Sequence, residues 1–499
     1  MQVHQAAHIK IEMGKQLQRV QSGVPGLDTI LCGGVIAGSS YIIQGMPGAG
    51  KTILANQVAF GQARAGSKIL YVTLLAESHD RLFQSLSTLD FFDASVIGTE
   101  LVYISLFQTL RDEGLSALVA VLRKELSRQQ CSMLVMDGLL NARDRGDTDL
   151  DVKSFVAELQ GHAAFTHCTV LFLTSARIDD ASPEHTMVDG VIQLQSEEVG
   201  SRTIRQLKVT KSRGSDAING MHQYNIASNG ISVYPRLEAV LARPSNLESP
   251  ESLRVPSGIT GLDPLIGGGL PASSVTLLLG PSGSGKTTCC LNFLTAATPE
   301  HPALYFGFYE TRARLTLKAA AFGIDLEALI ASGAVYIMWN PLTENLLDAL
   351  GHQLLEAVRQ FRVHRVAIDG FGGFERAAGN GGRLPEFLSA LSNELRALRV
   401  TTVATLESRV VSGAGYGAAA PALSSVMDNL LLIRQRETPQ GIARAMIPVK
   451  VRDSVFDSSA RKLFFNDRGL FVDGLLDLPF LEGERNHETP SGGLDNAGT

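Results

Sequence analysis

Gly45-Met46-Pro47-Gly48-Ala49-Gly50-Lys51-Thr52 and Gly280-Pro281-Ser282-Gly283-Ser284-Gly285-Lys286-Thr287 both spell G-x-x-x-x-G-K-[ST]. Each run follows a short apolar stretch (40–44, 275–279) and precedes a helical pattern, the setting a phosphate loop needs. The glycines let the main chain wrap a phosphate, the helix N-terminus offers N–H groups to negative charge, and the lysine reaches the β- and γ-phosphates. Candidate nucleotide-binding residues are therefore Gly48, Ala49, Gly50, Lys51, Thr52 and Ile53 in one copy and Gly283, Ser284, Gly285, Lys286, Thr287 and Thr288 in the other. Thr52 and Thr287 supply hydroxyls for Mg²⁺, which binds through few protein ligands and keeps waters and phosphate oxygens. The expected ligands are ATP and Mg²⁺, one set per loop.

Outward from the loops the chain repeats itself. Arg19-Val20, Ser22-Gly23 and Gly26-Leu27-Asp28 return as Arg254-Val255, Ser257-Gly258 and Gly261-Leu262-Asp263, each 235 positions later. A repeat of that length is a whole domain rather than a solenoid unit. In each half, short apolar runs (40–44, 69–75, 133–137, 170–174; then 275–279, 303–308, 365–369, 401–406) alternate with helical patterns. That alternation predicts an α/β fold, a mainly parallel sheet flanked by helices, written twice. Pro235, Pro244, Ser245, Pro250 and Ser252 punctuate a polar connection, which places the first domain at 17–247 and the second at 248–482. Residues 1–16 form an N-terminal extension, and 483–499, rich in Gly, Asn, Glu and Pro, read as a disordered tail.

Further acidic groups fall where a phosphate-transfer site needs them. Met133-Leu134-Val135-Met136-Asp137 and Arg365-Val366-Ala367-Ile368-Asp369 are buried-strand patterns ending in aspartate, so Asp137 and Asp369 are expected to hold the metal or its water, beside Thr52 and Thr287. Between loop and aspartate, another strand ends near Glu77 in the first half and Glu310 in the second. A carboxylate at that edge can orient or deprotonate an attacking water or hydroxyl; the bland alternative is a charge at a helix N-terminus.

Composition sets the remaining bounds. At 499 residues the chain exceeds a single core, and 44% hydrophobic with 19% charged residues suits soluble globular domains. A net charge of −6 gives no general attraction to nucleic acid or anionic lipid. The polar start and the lack of any long apolar run point to the cytoplasm, with no membrane role. Cys32, Cys131, Cys168, Cys289 and Cys290 show no metal or disulfide spacing and read as buried thiols.

The duplicated P-loop domain with S-G-[VI]-x-G-L-D ahead of each loop resembles the KaiC family, the circadian clock ATPase and autokinase with tandem RecA-like domains, over roughly residues 17–475. The resemblance implies a homo-oligomer, a hexameric ring with ATP bound between neighbouring subunits, and a KaiB-like or other signalling partner. It implies that Lys211 and Arg213, and Lys450 and Arg452, enter a neighbour's site as a K-x-R pair, where such fingers are worth roughly 10³–10⁵ in rate. It also implies that Ser424 and Ser425, two adjacent hydroxyls ahead of Asp428, are phosphorylated by the second half, while His185 and Thr186 stand in their place in the first.

Departures from the family pattern are visible as well. Ala76-Glu77 and Tyr309-Glu310 keep one carboxylate where clock members have two, and Gly138 and Gly370 follow the aspartates where serine is usual. Two other readings compete with the clock-type one. One is a nucleic-acid motor, for which 371–383, Gly-rich with Arg376 and Arg383, is flexible enough to contact DNA, though equally suited to a ring pore. The other is a scaffold gated by nucleotide without hydrolysis; retention of both lysines, hydroxyls, aspartates and glutamates argues against it.

Overall fold

The computed structural model describes residues 17–76, 78–138, 149–175, 186–244, 252–379, 381–408, 426–439, 441–466 and 469–476. The chain divides into two compact units, Met1–Val240 and Leu241–Thr499. Each is built on a nine-stranded sheet.

The first unit's strands are β1 (Ser40–Gly45), β2 (Ile69–Thr73), β3 (Leu101–Ser105), β4 (Met133–Asp137), β5 (Thr169–Thr174), β6 (Gly190–Val199), β7 (Arg202–Ser212), β8 (His222–Ala227) and β9 (Gly230–Tyr234). Their spatial order is β9-β8-β7-β6-β1-β5-β4-β2-β3. The strands from β6 to β3 pair in parallel, and β7, β8 and β9 continue the sheet antiparallel. The second unit repeats the plan with β10 (Val275–Gly280), β11 (Ala303–Gly307), β12 (Val335–Trp339), β13 (Arg365–Asp369), β14 (Thr401–Glu407), β15 (Asn429–Thr438), β16 (Gly441–Lys450), β17 (Arg461–Asn466) and β18 (Gly469–Leu475), ordered β12-β11-β13-β14-β10-β15-β16-β17-β18. The α/β expectation holds, and every expected strand lies within two residues of an observed one.

Parallel strands covered on both faces read as continuous apolar runs, because both sets of alternating side chains are buried. In the first unit Tyr41, Ile43, Tyr71, Val135 and Leu171 point into one core, and Ile42, Leu70, Leu134 and Phe172 into another. Helix α1 (Lys51–Arg64) packs into the first core through Leu54, Val58 and Phe60; α2 (His79–Leu86) contributes Leu86. In the second unit α3 (Lys286–Leu294) and α4 (Arg312–Ala320) take the matching places.

The repeated S-G-x-x-G-L-D stretch is a self-bonded turn. Asp28 accepts from the Ser22 N–H at 2.8 Å and Ser22 Oγ from the Val24 N–H at 3.1 Å; Asp263, Ser257 and Ile259 do the same at 3.0 and 3.2 Å. Gly26 and Gly261, at φ +77° and +85°, lie so close to the carbonyls of Val233 and Val472 that a Cβ would sit 1.9 Å from either oxygen. The same turns bond the last strand of their own half, through Val233 N–H to Pro25 O and Val472 N–H to Thr260 O, both 2.9 Å.

Two expectations need correction. Cys32 is exposed, in a left-handed turn (φ 54°) with its Sγ against Asp216 O at 3.0 Å. The other four cysteines are buried, and burial pushes the thiols of Cys131, Cys168 and Cys289 up to about 11, 12 and 12. The stretch proposed as a flexible DNA-contact loop is instead helical: α5 (Gly372–Ala378) buries Phe374, and Arg383 is held by Asp348 in a two-point pair at 2.8 and 3.1 Å. Phe374 packs against Phe306, Phe308, Phe371 and Phe387, which is why a glycine-rich run holds one shape here. The corresponding segment of the first half, including Arg143 and Arg145, lies outside the described residues, as do 1–16 and 483–499.

Candidate functional site

In both halves the phosphate loop joins the central strand to a helix whose first residue is the lysine. Lys51 Nζ donates to the main-chain oxygens of Gly45 and Met46 at 2.9 and 3.1 Å; Lys286 Nζ donates to those of Gly280 and Pro281 at 2.8 and 2.7 Å. Burial lowers both ammonium groups from the usual lysine value, partly offset by Asp137 in the first half and by Glu407 and Asp369 in the second. These partly desolvated cations lie within the loops whose geometry suits polyphosphate.

Asp137 and Asp369 end strands β4 and β13, adjacent in the sheet to β2 and β11, and both are buried. Thr52 Oγ1 donates to Asp137 Oδ2 at 3.0 Å, so a hydroxyl and a carboxylate from two elements converge. In the second half Asp369 accepts from Tyr305 OH at 2.6 Å and Thr405 Oγ1 at 2.7 Å, while Thr287 lines the same cavity. An all-oxygen donor set beside a phosphate loop fits Mg²⁺. Tyr305 and Thr405 were not singled out from sequence; Tyr71, whose OH lies 3.4 Å from Asp137, is the first-half counterpart and keeps the repeat within one residue.

The second half holds an open cavity of 760 Å³ between the loop residues 282–288 and Tyr309, Glu310, Lys318, Asp369, Glu407, Arg444 and Phe465. Glu310 is in its wall, where Lys318 Nζ donates to Glu310 Oε1 at 2.6 Å. Arg444 lies 5.4 Å over the Phe465 ring, and Phe465 stands against Phe322 at 5.8 Å. This apolar and cationic corner was invisible in the sequence, because Arg444 of β16, Phe465 of β17 and Phe322 just past α4 meet only in the fold. Glu77 lies outside the described residues.

Glycine after each aspartate now has a reason. Gly138 and Gly370 adopt φ +107° and +105°, and a Cβ on Gly370 would meet Tyr309 Cε2 at 2.4 Å. Serine would be strained there whatever hydrogen bond it offered.

The lining of the cavity just described includes neither Lys450 nor Arg452. Lys211 Nζ and Arg213 Nη2 donate to Thr186 O at 3.1 and 3.2 Å. Lys450 Nζ donates to Met427 O at 2.7 Å, and Arg452 Nη1 meets Asp428 Oδ1 at 2.9 Å. Each pair therefore holds the chain just before strands β6 and β15. Arg396 joins in the second half, with Nε on Asp428 Oδ2 at 2.9 Å and Nη2 on Val426 O at 2.8 Å. Ser424, Ser425 and His185 lie outside the described residues. Among the described residues no helix is long and apolar enough to cross a membrane.

Comparison with known proteins gives the same two-part division. The family model described as "ATPase: KaiC" matches residues 20–238 and again 255–473. The chain is 24% identical over 475 residues to the circadian clock oscillator protein KaiC of Picosynechococcus sp., covering 92% of this chain and 90% of that one. It is 25% identical to the KaiC proteins of Acaryochloris marina, over 92% and 88% of the two chains, and of Thermostichus vulcanus, over 91% and 89%.

Proposed function

The chain belongs to the KaiC family of ATPases, and from that premise we propose that it is a cytoplasmic, ring-forming ATP-hydrolysing switch whose second half also phosphorylates its own Ser424 and Ser425. The observation that carries the reading is the duplicated constellation of loop lysine, loop threonine and strand-end aspartate, with Thr52 Oγ1 3.0 Å from Asp137 Oδ2 and a 760 Å³ cavity at the second loop.

In this reading the loop amides and Lys51 or Lys286 hold the β- and γ-phosphates, and Thr52 with Asp137, or Thr287 with Asp369, holds Mg²⁺. The metal neutralises charge on the phosphate oxygens when bound. Glu77 and Glu310 orient the attacking oxygen: water for hydrolysis, a serine hydroxyl for self-modification. Lys211 and Arg213, and Lys450 and Arg452, complete the site of the next subunit in a hexamer. Neither Lys450 nor Arg452 lines the second-half cavity of its own chain, which supports that division of labour. A phosphate on Ser424 or Ser425 adds about −1.5 to −2 charge, a few residues ahead of Asp428, which Arg396 and Arg452 hold. That charge is the switch, read by ring neighbours or by a KaiB-like signalling partner. The relatives named circadian clock oscillator proteins make timing the favoured output.

Phosphosite mapping by mass spectrometry after incubation with Mg²⁺ and ATP tests the kinase half. The expected result is phosphate on Ser424 or Ser425 in the parent and none in Lys286→Ala. Inorganic phosphate released with both serines unmodified would leave an ATPase only.

A further inference from the structure

We propose that Lys318 is a positioning residue of the second site, holding one oxygen of Glu310 so that the other faces the attacking water. The proposal rests on the reading of Glu310 as the group that orients the nucleophile, and adds a residue to it.

Glu310 directly precedes Thr311, the N-cap of helix α4, whose Oγ1 accepts from the Arg314 N–H. The backbone under Glu310 is thus fixed by a capped helix, but its side chain has rotatable bonds of its own. Lys318, two turns up the same helix, reaches back and donates to Oε1 at 2.6 Å, with side chains 32% and 22% exposed. Ion pairs on open surface contribute little, whereas both members of this one line the cavity that holds Lys286, Thr287 and Asp369. Lys318 therefore acts inside the site.

Charge gives the pair a second consequence. Glu310, Asp369, Glu375 and Glu407 all line the cavity into which a polyphosphate must come. An ammonium on Glu310 lowers that repulsion, and Coulomb energy at 3–4 Å in a partly dry site is large enough to matter. The corresponding helix position of the first half differs: counting three residues past Leu315 gives Lys318, and three past the matching Leu82 gives Ser85, exposed and too short to reach back two turns. The second half also carries Tyr309 where a second carboxylate is usual, so its single glutamate is set by a lysine instead of by a neighbouring acid.

The step is hydrolysis: the water oxygen bonds to the γ-phosphorus, the bond to the β–γ bridging oxygen breaks, and the water proton passes to Glu310 Oε2 and on to solvent, leaving ADP and phosphate. Lys318 exchanges no proton in it. Its contribution is orientation, and small displacements of a positioned group cost up to about a hundredfold in rate.

The test is steady-state ATP turnover of the full chain, with second-half turnover taken as the rate lost in Lys286→Ala. The proposal expects Lys318→Ala to lower that part of kcat about tenfold with KM changed less than about twofold. Lys318→Arg should recover it to within about threefold. Glu310→Gln should lower it at least as far, and the Glu310→Gln/Lys318→Ala double variant should be no slower than Glu310→Gln alone. Independent, multiplying effects in the double variant would overturn the proposal, as would a raised KM at constant kcat, which marks a plain nucleotide ligand. Turnover in Lys286→Ala or Glu310→Gln equal to the parent would sink the ATPase reading of this half, and the proposal with it.

Discussion

Asp189 and Asp428 occupy the same place in the two halves, just ahead of the strand beside the phosphate-loop strand, and are held by different chemistry. Asp189 accepts from the Ser40 N–H at 2.9 Å and its hydroxyl at 3.1 Å, and Gln160 closes the group by donating to Ser40 Oγ at 2.6 Å and Met187 O at 3.1 Å. Arg213 is only at the edge of contact, 4.0 Å away. Asp428 keeps the backbone bond, from Val275 N–H at 2.9 Å, but the hydroxyl is gone and Arg396 stands where Gln160 does, with Arg452 opposite at 2.9 Å. One fold thus supports an aspartate held mainly by uncharged donors in one copy and by guanidiniums in the other. The charged anchor lies three residues after Ser425 in the sequence.

The comparison breaks first at the loops. Lys51→Ala and Lys286→Ala should each cut hydrolysis at their own site by about 10²–10³-fold, read as phosphate release from both single variants and the double. If either alone silences the whole chain, the halves do not work separately.

Removing the anchors sharpens the contrast. Asp428→Ala leaves two guanidiniums without their acid and should cost about 3–5 kcal/mol, whereas Asp189→Ala, which loses mainly hydrogen bonds from uncharged donors, should cost about 1.5–3 kcal/mol. Trp339, the single tryptophan, lies in the second half and reports that unfolding by fluorescence in urea; amide exchange along β1 reports the first. Equal losses would remove the distinction between anchors.

A smaller difference is expected after the strand-end aspartates. Gly370→Ala and Gly138→Ala both carry about 1 kcal/mol of left-handed strain. Only Gly370→Ala also strikes a ring at 2.4 Å; at Gly138 the nearest atoms are Leu74 and Leu75 side chains at 3.2 Å. Second-half turnover should therefore fall severalfold in Gly370→Ala while first-half turnover in Gly138→Ala changes less.

The smallest effect belongs to the first half alone. His79, packed near Phe83 and Tyr103 and hydrogen-bonded to Thr73, is pushed below the ordinary histidine value of about 6.5 by burial, with Asp80 opposing. The unfolded chain then binds the proton more readily, so stability is complete above pH 6.5 and falls as pH drops below it. The slope should amount to less than about 1 kcal/mol and flatten in His79→Gln, as followed by urea midpoints between pH 5 and 7.

Which parts of this were legible in sequence follows from range. The strands were, because burial on both faces leaves a continuous apolar run, as in residues 133–137. The loops were, because a phosphate cradle is local. Tyr305 and Thr405 on Asp369 were not, since they come from neighbouring strands whose order no periodicity reveals. The helix at 372–378 was missed because glycine count outweighed Phe371, Phe374 and Phe387, which pin it. Lys318 could have been found by setting α4 against α2 residue by residue, where lysine replaces Ser85.

The turn at Gly26 and Gly261 has a topological consequence. Because each half bonds its opening turn to its own last strand, at Pro25 O and Thr260 O, the chain enters and leaves each module at one spot. A module whose ends meet in this way is a candidate for circular permutation with the new ends at an exposed loop. For the same reason a second copy can be strung after the first with only a short stretch of chain between Val240 and Arg254, each copy folding on its own stitched ends.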